Sequence, residues 1–450
     1  MGSGELDWFL VYLESFFKIK MEFKNKKVTI YGLGKSGIAS ARKLSRLGTK
    51  VFATESKSVI DLSANEELKR LGVTVELGGH TEKSIEGVDL IVVSPGVHLD
   101  IPVLEEARKR EIPIISEIEL AYQFISKPII AVTGTNGKTT TTTLIGEMLK
   151  AGGKKVAVAG NIGLPLVEVD DLGLDYIVAE ISSYQLETIK SFRPWMSLIL
   201  NIQPDHLERH HSMEEYIDRK ARIFMNQTGD DYLIYNQDDP RVAEMVKKAR
   251  ARLIGFSRSH PEIITLDPDE IKIPGRHNLE NSMAAAQAAY LCGVGKKTVA
   301  GVLRTFPGVE HRIEYVTTAR GVDFYNDSKG TNPDSTLVAL ETFSGRGIVL
   351  ILGGRDKGVS LQALSHKVRE VVKAVVLIGE AAPRFERSLK EHGFNATYLA
   401  GSMEEAASRA FSLAGKNDVV LLSPACASFD MFSNYEERGI VFKRVCLNLR

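Results

Sequence analysis

Along this chain, short runs of β-branched and aliphatic residues alternate with longer segments whose apolar positions recur every three or four residues. From Lys27 onward the alternation is regular. Residues 28–31, 51–54, 73–76 and 90–94 read as strands, with helices over 38–47 and 117–125. Lys127-Pro128 reads as a linker. A second run follows, with strands over 129–133, 156–159, 176–180 and 198–201 and a long Ala-rich helix over 279–291, a composition that favours helix. Phe306-Pro307-Gly308 marks the next boundary, and strands over 324–326, 348–352, 375–378 and 419–423 make a third run. Strand–helix alternation of this kind is the pattern of parallel sheets with crossover helices. The expected architecture is therefore α/β in three domains, 1–127, 128–308 and 309–450. The first and last are Rossmann-like, and the central one is of the P-loop ATPase type with a mainly parallel sheet.

A length of 450 residues agrees with about three domains. The 57 basic and 57 acidic residues cancel, which argues against a nucleic-acid or anionic-membrane partner, since both need a basic excess. Three scattered cysteines, Cys292, Cys426 and Cys446, fit a reducing cytoplasm better than a disulfide framework, and their spacing does not suggest zinc. No apolar run approaches the roughly 18 residues of a membrane helix. Residues 1–26 form an extension. Its Gly2-Ser3-Gly4 opening reads as an expression remnant, and Glu5 and Asp7 stand where a signal peptide would be positive. Leu6, Phe9, Leu10, Leu13, Phe16 and Phe17 recur at helical spacing, as in a short packing helix.

Two glycine turns carry the chemistry. Gly32-Leu33-Gly34-Lys35-Ser36-Gly37 follows a strand and opens a helix, where a pyrophosphate could sit on the helix N-terminus. Glu55, past the second strand, stands where a ribose-reading carboxylate is expected. Alone, this turn says NAD-dependent dehydrogenase, ahead of a helix cap with no ligand. Gly134-Thr135-Asn136-Gly137-Lys138-Thr139-Thr140 then follows the strand 129–133. Its amides would cradle phosphate oxygens, its lysine would neutralise charge and the following hydroxyl would ligate Mg²⁺. The general P-loop pattern would place a first glycine at Val132, so this is the shorter Gly-Thr-Asn-Gly-Lys-Thr form. Two separate turns imply two nucleotides, one spent and one part of the substrate.

Further polar clusters lie downstream. Glu180 ends a strand, Asn201-Ile202-Gln203-Pro204-Asp205-His206 follows another, and Tyr216-Ile217-Asp218-Arg219-Lys220 enters a helix. Oxygen ligands with few nitrogens suit Mg²⁺ better than zinc. Taken singly, Glu180 would read as a strand-end cap and Lys220 as a surface lysine.

Together these motifs resemble the Mur ligases. Gly134 to Thr139, Asn161-Ile162-Gly163, Glu180-Ile181-Ser182-Ser183, Asp205-His206 and Tyr216 to Lys220 carry the likeness. Gly275-Arg276-His277-Asn278, Asn326-Asp327-Ser328-Lys329 and the stretch from Leu422 to Asp430 extend it over residues 27–450. The last motif, with Ser94-Pro95-Gly96-Val97, is most similar to the member that adds D-glutamate to UDP-N-acetylmuramoyl-L-alanine. The resemblance implies ATP-dependent amide formation through an acyl phosphate, with two Mg²⁺ ions, in a cytoplasmic monomer. It implies catalytic roles for Lys138, Glu180, His206 and Lys220, with Thr139, Glu180, His206 and a carbamylated Lys220 at the metals. ATP would lie on Gly134, Thr135, Asn136, Gly137, Lys138, Thr139 and Thr140, with Asn278, Asn281, Arg312 and Asp327 at adenine and ribose. The UDP-sugar would lie against Gly34, Lys35, Ser36, Thr54, Glu55, Gly96 and Asn161, although Thr54-Glu55 stand where an Asp-Thr pair is frequent. The amino acid would meet Lys329, Thr331, Lys357, Ser428, Phe429 and Tyr435.

The nearest rivals are another Mur-type or folylpolyglutamate-type ligase, although a folate ligase has no evident use for the N-terminal turn. A dehydrogenase would leave the P-loop and Glu180 unexplained. A non-catalytic nucleotide-binding regulator would leave the metal-site side chains without a purpose.

Overall fold

A computed structural model describes residues 21–205, 207–260, 264, 266–356 and 358–449. The helix expected in the N-terminal extension falls mainly on residues 1–20, outside the described residues. The three-domain α/β architecture is present as three sheets. The first has five parallel strands in the order Thr74–Leu77, Lys50–Glu55, Lys27–Tyr31, Leu90–Val93, Ile114–Ser116. All four residues of Leu90–Val93 are buried, as expected where helices cover both faces of a parallel sheet. The chain order reverses on either side of Lys27–Tyr31. The crevice for a ligand therefore opens at that strand's carboxyl end, where Gly32 to Gly37 turns into the helix Lys35–Arg46. Gly37 has to be glycine, because a Cβ there would lie 1.8 Å from the Gly32 carbonyl oxygen.

The second sheet has six parallel strands in the order Arg252–Phe256, Tyr232–Asn236, Met196–Ile199, Ile129–Thr133, Tyr176–Glu180, Val156–Gly160. Its central strand Ile129–Thr133 is buried throughout and feeds the helix Lys138–Ala151 through the loop 134–137. The third sheet runs Glu314–Ala319, Val322–Asn326, Val419–Leu422, Ile348–Gly353, Val372–Ile378, Thr397–Leu399. It is parallel except for its first pair. Period-two alternation separates its two faces. Ile348, Leu350 and Leu352 belong to one core and Val349 and Ile351 to another.

Contacts gather the chain into two compact units. One runs to Thr265 and takes in Glu280–Val302, and the other comprises Leu266–Leu279 and Leu303–Arg450. The first unit holds two sheets because a single core spans them, joining Val28, Ile30 and Val92 to Ala131, Ile177 and Ile199. The helix Glu117–Tyr122, all six residues buried, lies within that joint. Its Glu119 carboxylate accepts from the amides of Lys190, Ser191 and Phe192 at 2.8–2.9 Å. Among the described residues no helix is long and apolar enough to cross a membrane.

Candidate functional site

The candidate phosphate cradle is built at the carboxyl end of Ile129–Thr133. Gly134 and Gly137 take φ of +151° and +84°, which L side chains rarely adopt. A Cβ on Gly137 would stand 2.2 Å from Asn281 Oδ1, so Asn281 closes directly over the loop. The neighbouring strands brace it from both sides. From the end of Met196–Ile199, the Asn201 carbonyl accepts from the Thr135 amide at 2.9 Å and Asn201 Oδ1 from the Asn136 amide at 2.8 Å. Gln203 Oε1 accepts from Asn136 Nδ2 at 3.1 Å. Asn201 and Gln203 belong to a sequence motif but were not among the expected site residues. Their polar side chains just past a buried strand were the available signal.

Register places the acidic group. Val132 pairs with Glu180, so the carboxylate at the end of Tyr176–Glu180 stands beside the loop's entry. Glu180 is buried. Its Oε2 accepts from Thr139 Oγ1 and its Oε1 from Asn161 Nδ2, both at 2.8 Å. Gly160 permits this approach, because a Cβ there would lie 2.3 Å from the Glu180 carbonyl oxygen. Asn161, expected at the sugar substrate, thus sits on the carboxylate of the cradle. Lys138 Nζ folds back and donates to the carbonyls of Gly134 and Thr135 at 2.9 and 2.8 Å.

Lys220, on the helix Met213–Ala221, is 1% exposed and donates to the Gly134 carbonyl at 2.9 Å. Its Nζ lies 4.7 Å over the Tyr216 ring, whose hydroxyl is 3.0 Å from Thr135 Oγ1. Burial, with the Lys138 charge adding to it, pushes the Lys220 amine well below its ordinary range against the opposing pull of Asp205 and Glu180. Lys138, Thr139, Glu180, Asn161 and Lys220 therefore converge on one loop. Thr139 and Glu180 present hard oxygens suited to Mg²⁺, and a buried amine of lowered basicity lies on the same loop. His206 lies outside the described residues.

At the first glycine turn, Gly34, Lys35 and Gly96 are exposed and Ser36 is half-buried. Glu55 Oε2 accepts from the Leu33 amide at 2.8 Å, so its carboxylate braces the turn itself. Thr54 is fully buried, its hydroxyl 2.8–2.9 Å from Glu76 Oε2, the Gly79 carbonyl and His80 Nδ1.

In the other unit, Asp327 is wholly buried beside Ser423, whose hydroxyl donates to it at 2.7 Å. Burial raises its carboxyl to about 7 even though the Arg312 cation draws it down. Asn278 is buried and donates to the Pro274 carbonyl at 2.6 Å. Lys329, Thr331 and Ser428 follow the carboxyl ends of Val322–Asn326 and Val419–Leu422. Lys329 Nζ lies 5.8 Å over the Tyr435 ring, Ser428 is buried and Phe429 is 64% exposed. Lys357 lies outside the described residues. Sequence reasoning missed Arg438, which is buried and donates to the Ser328 hydroxyl and carbonyl and to the carbonyls of Cys426 and Ala427. It thereby ties two of these strand-end loops together. Its spacing to Phe442 and Cys446, both buried, was the missed signal, since i, i+4 and i+8 share a helix face. Among the described residues, Glu310, His311 and Glu314 also cluster closely enough to hold a metal. Lys443 Nζ already occupies that cluster, at 2.7 and 2.8 Å from the two carboxylates.

Comparison with known proteins converges with this geometry. Residues 26–116 match the Mur ligase MurD-like N-terminal domain, 132–289 the Mur ligase middle domain and 311–426 the Mur ligase glutamate ligase domain. A UDP-N-acetylmuramoylalanine--D-glutamate ligase of Thermoanaerobacter sp. (strain X514) is 46% identical over 455 residues, covering 96% of this chain and 100% of the relative. One of Clostridioides difficile (strain 630) is 42% identical over 452 residues, with 96% and 100% covered. The fold is similar to that of UDP-N-acetylmuramate-alanine ligase MurC of Thermotoga maritima, at 19% identity and a TM-score of 0.55 over 94% of this chain and 99% of that one. It is similar also to MurF of Acinetobacter baumannii, at 16% identity and a TM-score of 0.56 over 94% and 91%. With its phosphate cradle at the carboxyl end of a parallel sheet and these matches along nearly its whole length, the chain belongs to the Mur ligase family.

Proposed function

We propose that this chain is an ATP-dependent, ADP-forming ligase that joins D-glutamate to UDP-N-acetylmuramoyl-L-alanine in peptidoglycan precursor synthesis. The observation that carries the reading is the 42–46% identity, along essentially the full length, to proteins named for that reaction. Physical chemistry supports it. A free carboxylate does not condense with an amine unaided, so it attacks the γ-phosphate of ATP, releasing ADP and forming an acyl phosphate. The amine of D-glutamate then displaces phosphate, leaving the amide. The 134–140 amides and Lys138 offset the charge on the transferring phosphoryl group, and Asn281 packs over the loop. Thr139, Glu180, His206 and Lys220 as a carbamate would hold two Mg²⁺ ions, which when bound neutralise phosphate charge. A carbamate needs a neutral amine to attack CO₂ and lose a proton, and the burial of Lys220 supplies one.

We assign residues 1–127 to the UDP-substrate, through Gly34, Lys35, Ser36, Thr54, Glu55, Gly96 and Asn161. Residues 128–308 go to ATP, and 309–450 to the amino acid through Lys329, Thr331, Lys357, Ser428, Phe429 and Tyr435. Asn278, Asn281, Arg312 and Asp327 serve adenine and ribose. The enzyme acts as a cytoplasmic monomer with no nucleic-acid or membrane partner. The test is phosphate release from ATP with UDP-N-acetylmuramoyl-L-alanine and a panel of amino acids. D-Glutamate alone should support turnover, and ¹⁸O placed in the substrate carboxylate should appear in inorganic phosphate. Equal use of L-alanine or L-glutamate would move the protein to another acid–amino-acid ligase, and unlabelled phosphate would exclude the acyl phosphate.

A further inference from the structure

Just beyond Asp205-His206, Arg209 and His210 close the short helix Leu207–His210. Neither belongs to the phosphate cradle, yet His210 is buried and Arg209 is largely covered. The Arg209 side chain is 10% exposed, that of His210 1%, and that of their shared partner Glu187 6%. Glu187 meets the guanidinium twice, with Arg209 Nε 3.1 Å from Oε1 and Nη2 2.7 Å from Oε2. Two parallel charge-assisted bonds fix the plane of the fork, which a lysine could not reproduce. The Tyr184 ring supports the guanidinium from 5.2 Å. Held this way, Arg209 Nη2 donates a further bond of 2.7 Å to the carbonyl of Val97.

Val97 belongs to the turn after a strand of the other sheet in the same unit. Its amide donates to the Ser94 carbonyl at 3.0 Å, and Ser94 Oγ donates to the Gly32 carbonyl at 2.8 Å. Val97 Cγ2 lies 2.8 Å from where a Cβ on Gly32 would stand. The arginine fork is thus one residue removed from the first glycine turn. On its other side, His210 Nε2 lies 3.0 Å from Ser183 Oγ, three residues beyond Glu180. The imidazole is flanked by Tyr184 and by Tyr216, which contacts Thr135 and Lys220.

We propose that Arg209, held in plane by Glu187, is a positioning residue that couples ligand binding at the first glycine turn to ligand binding at the phosphate cradle. The inference rests on the functional reading above, in which the first turn holds the UDP-linked substrate. A ligand that orders the 94–97 turn fixes the Val97 carbonyl, and with it Arg209 and the helix that follows Asp205-His206. His210 carries the same constraint to Ser183 and Tyr216. By linkage the effect is reciprocal, so each ligand tightens the other by the same factor.

Calorimetric titration of the full chain tests this, with a Mg²⁺-bound non-hydrolysable ATP analogue added alone and in saturating UDP-N-acetylmuramoyl-L-alanine. The wild type should show a tightening of roughly 5- to 150-fold. In Arg209→Met, Arg209→Lys and Glu187→Gln that factor should fall toward one, while each ligand alone keeps its affinity to within about threefold. A merely structural role would lower the melting temperature and leave the factor intact. An undiminished factor in a folded Arg209→Lys, or a wild-type factor of one, would overturn the proposal. A wild type that does not bind UDP-N-acetylmuramoyl-L-alanine in the single-ligand titration would overturn the functional reading, and this inference with it.

Discussion

Single residues around the 134–140 loop were legible in the sequence as types but not as partners. A lysine four residues after a tyrosine reads as an ordinary helix surface. Only the fold buries Lys220 and sets its Nζ on the Gly134 carbonyl. Its replacement by alanine should abolish most turnover, and formate or acetate should restore part of it by supplying the missing carboxylate. Near-normal turnover of Lys220→Ala would refute the carbamate. Glu180→Gln keeps the shape that accepts from Thr139 while removing the charge. It should cost on the order of 10²-fold or more in kcat, with affinity for the UDP-linked substrate unchanged. Equal loss of that affinity would mean that the carboxylate serves binding at the first turn. Thr54 is the residue the sequence left most ambiguous. Its buried hydroxyl is engaged by Glu76, Gly79 and His80, partners 22 or more positions away that no local pattern announces.

Among the elements, the two strands that carry the phosphate loop and Glu180 were read to the residue, because burial on both faces leaves continuous apolar runs. Ile129–Thr133 and Tyr176–Glu180 have the expected bounds. The strand expected to reach residue 201 instead ends at Ile199, because Asn201 turns away to brace the phosphate loop. The omitted strands are Ile114–Ser116, Arg252–Phe256, Glu314–Ala319 and Thr397–Leu399, at sheet edges, and Tyr232–Asn236, which lies inside the second sheet. An edge strand needs only a partial apolar pattern, and Arg252 and Leu253 are exposed. The helix after the first turn begins at Lys35, earlier than the apolar period suggested, because the glycine turn itself opens it. That junction is tight enough to test. Gly37→Ala would press a methyl group into the Gly32 carbonyl, so helix and strand must separate. Unfolding free energy should fall by about 1–3 kcal/mol, as for other overpacked sites, with binding at the first turn impaired. Unchanged melting and binding would show that the contact yields freely.

At the scale of the molecule, three sheets were expected and are found. What the sequence did not reveal is that the first two share a core, since the contacts that join them lie far apart along the chain. Glu117 belongs to that joint. It is wholly buried, with the Val167 amide donating to it at 2.7 Å, and burial raises its carboxyl to about 7. A carboxyl raised in the fold stabilises most below its unfolded pKa of 4.5, and that contribution is lost as pH climbs through 7. Between pH 5 and 8 the wild type should therefore lose roughly 2–3 kcal/mol of unfolding free energy relative to Glu117→Gln. Parallel pH profiles of the two proteins would show that the group ionises freely in the fold. The same joint limits how the chain can be divided. A fragment cut at 127 would carry Ile118, Leu120, Ala121 and Tyr122 without the residues of the second sheet that share their core, and the Glu119 carboxylate without the three amides that donate to it. The first sheet would then be a sticky half-body that aggregates when made alone. Modularity begins one domain later than sequence boundaries suggest, and any shuffling among relatives has to exchange the first two sheets as a single cassette.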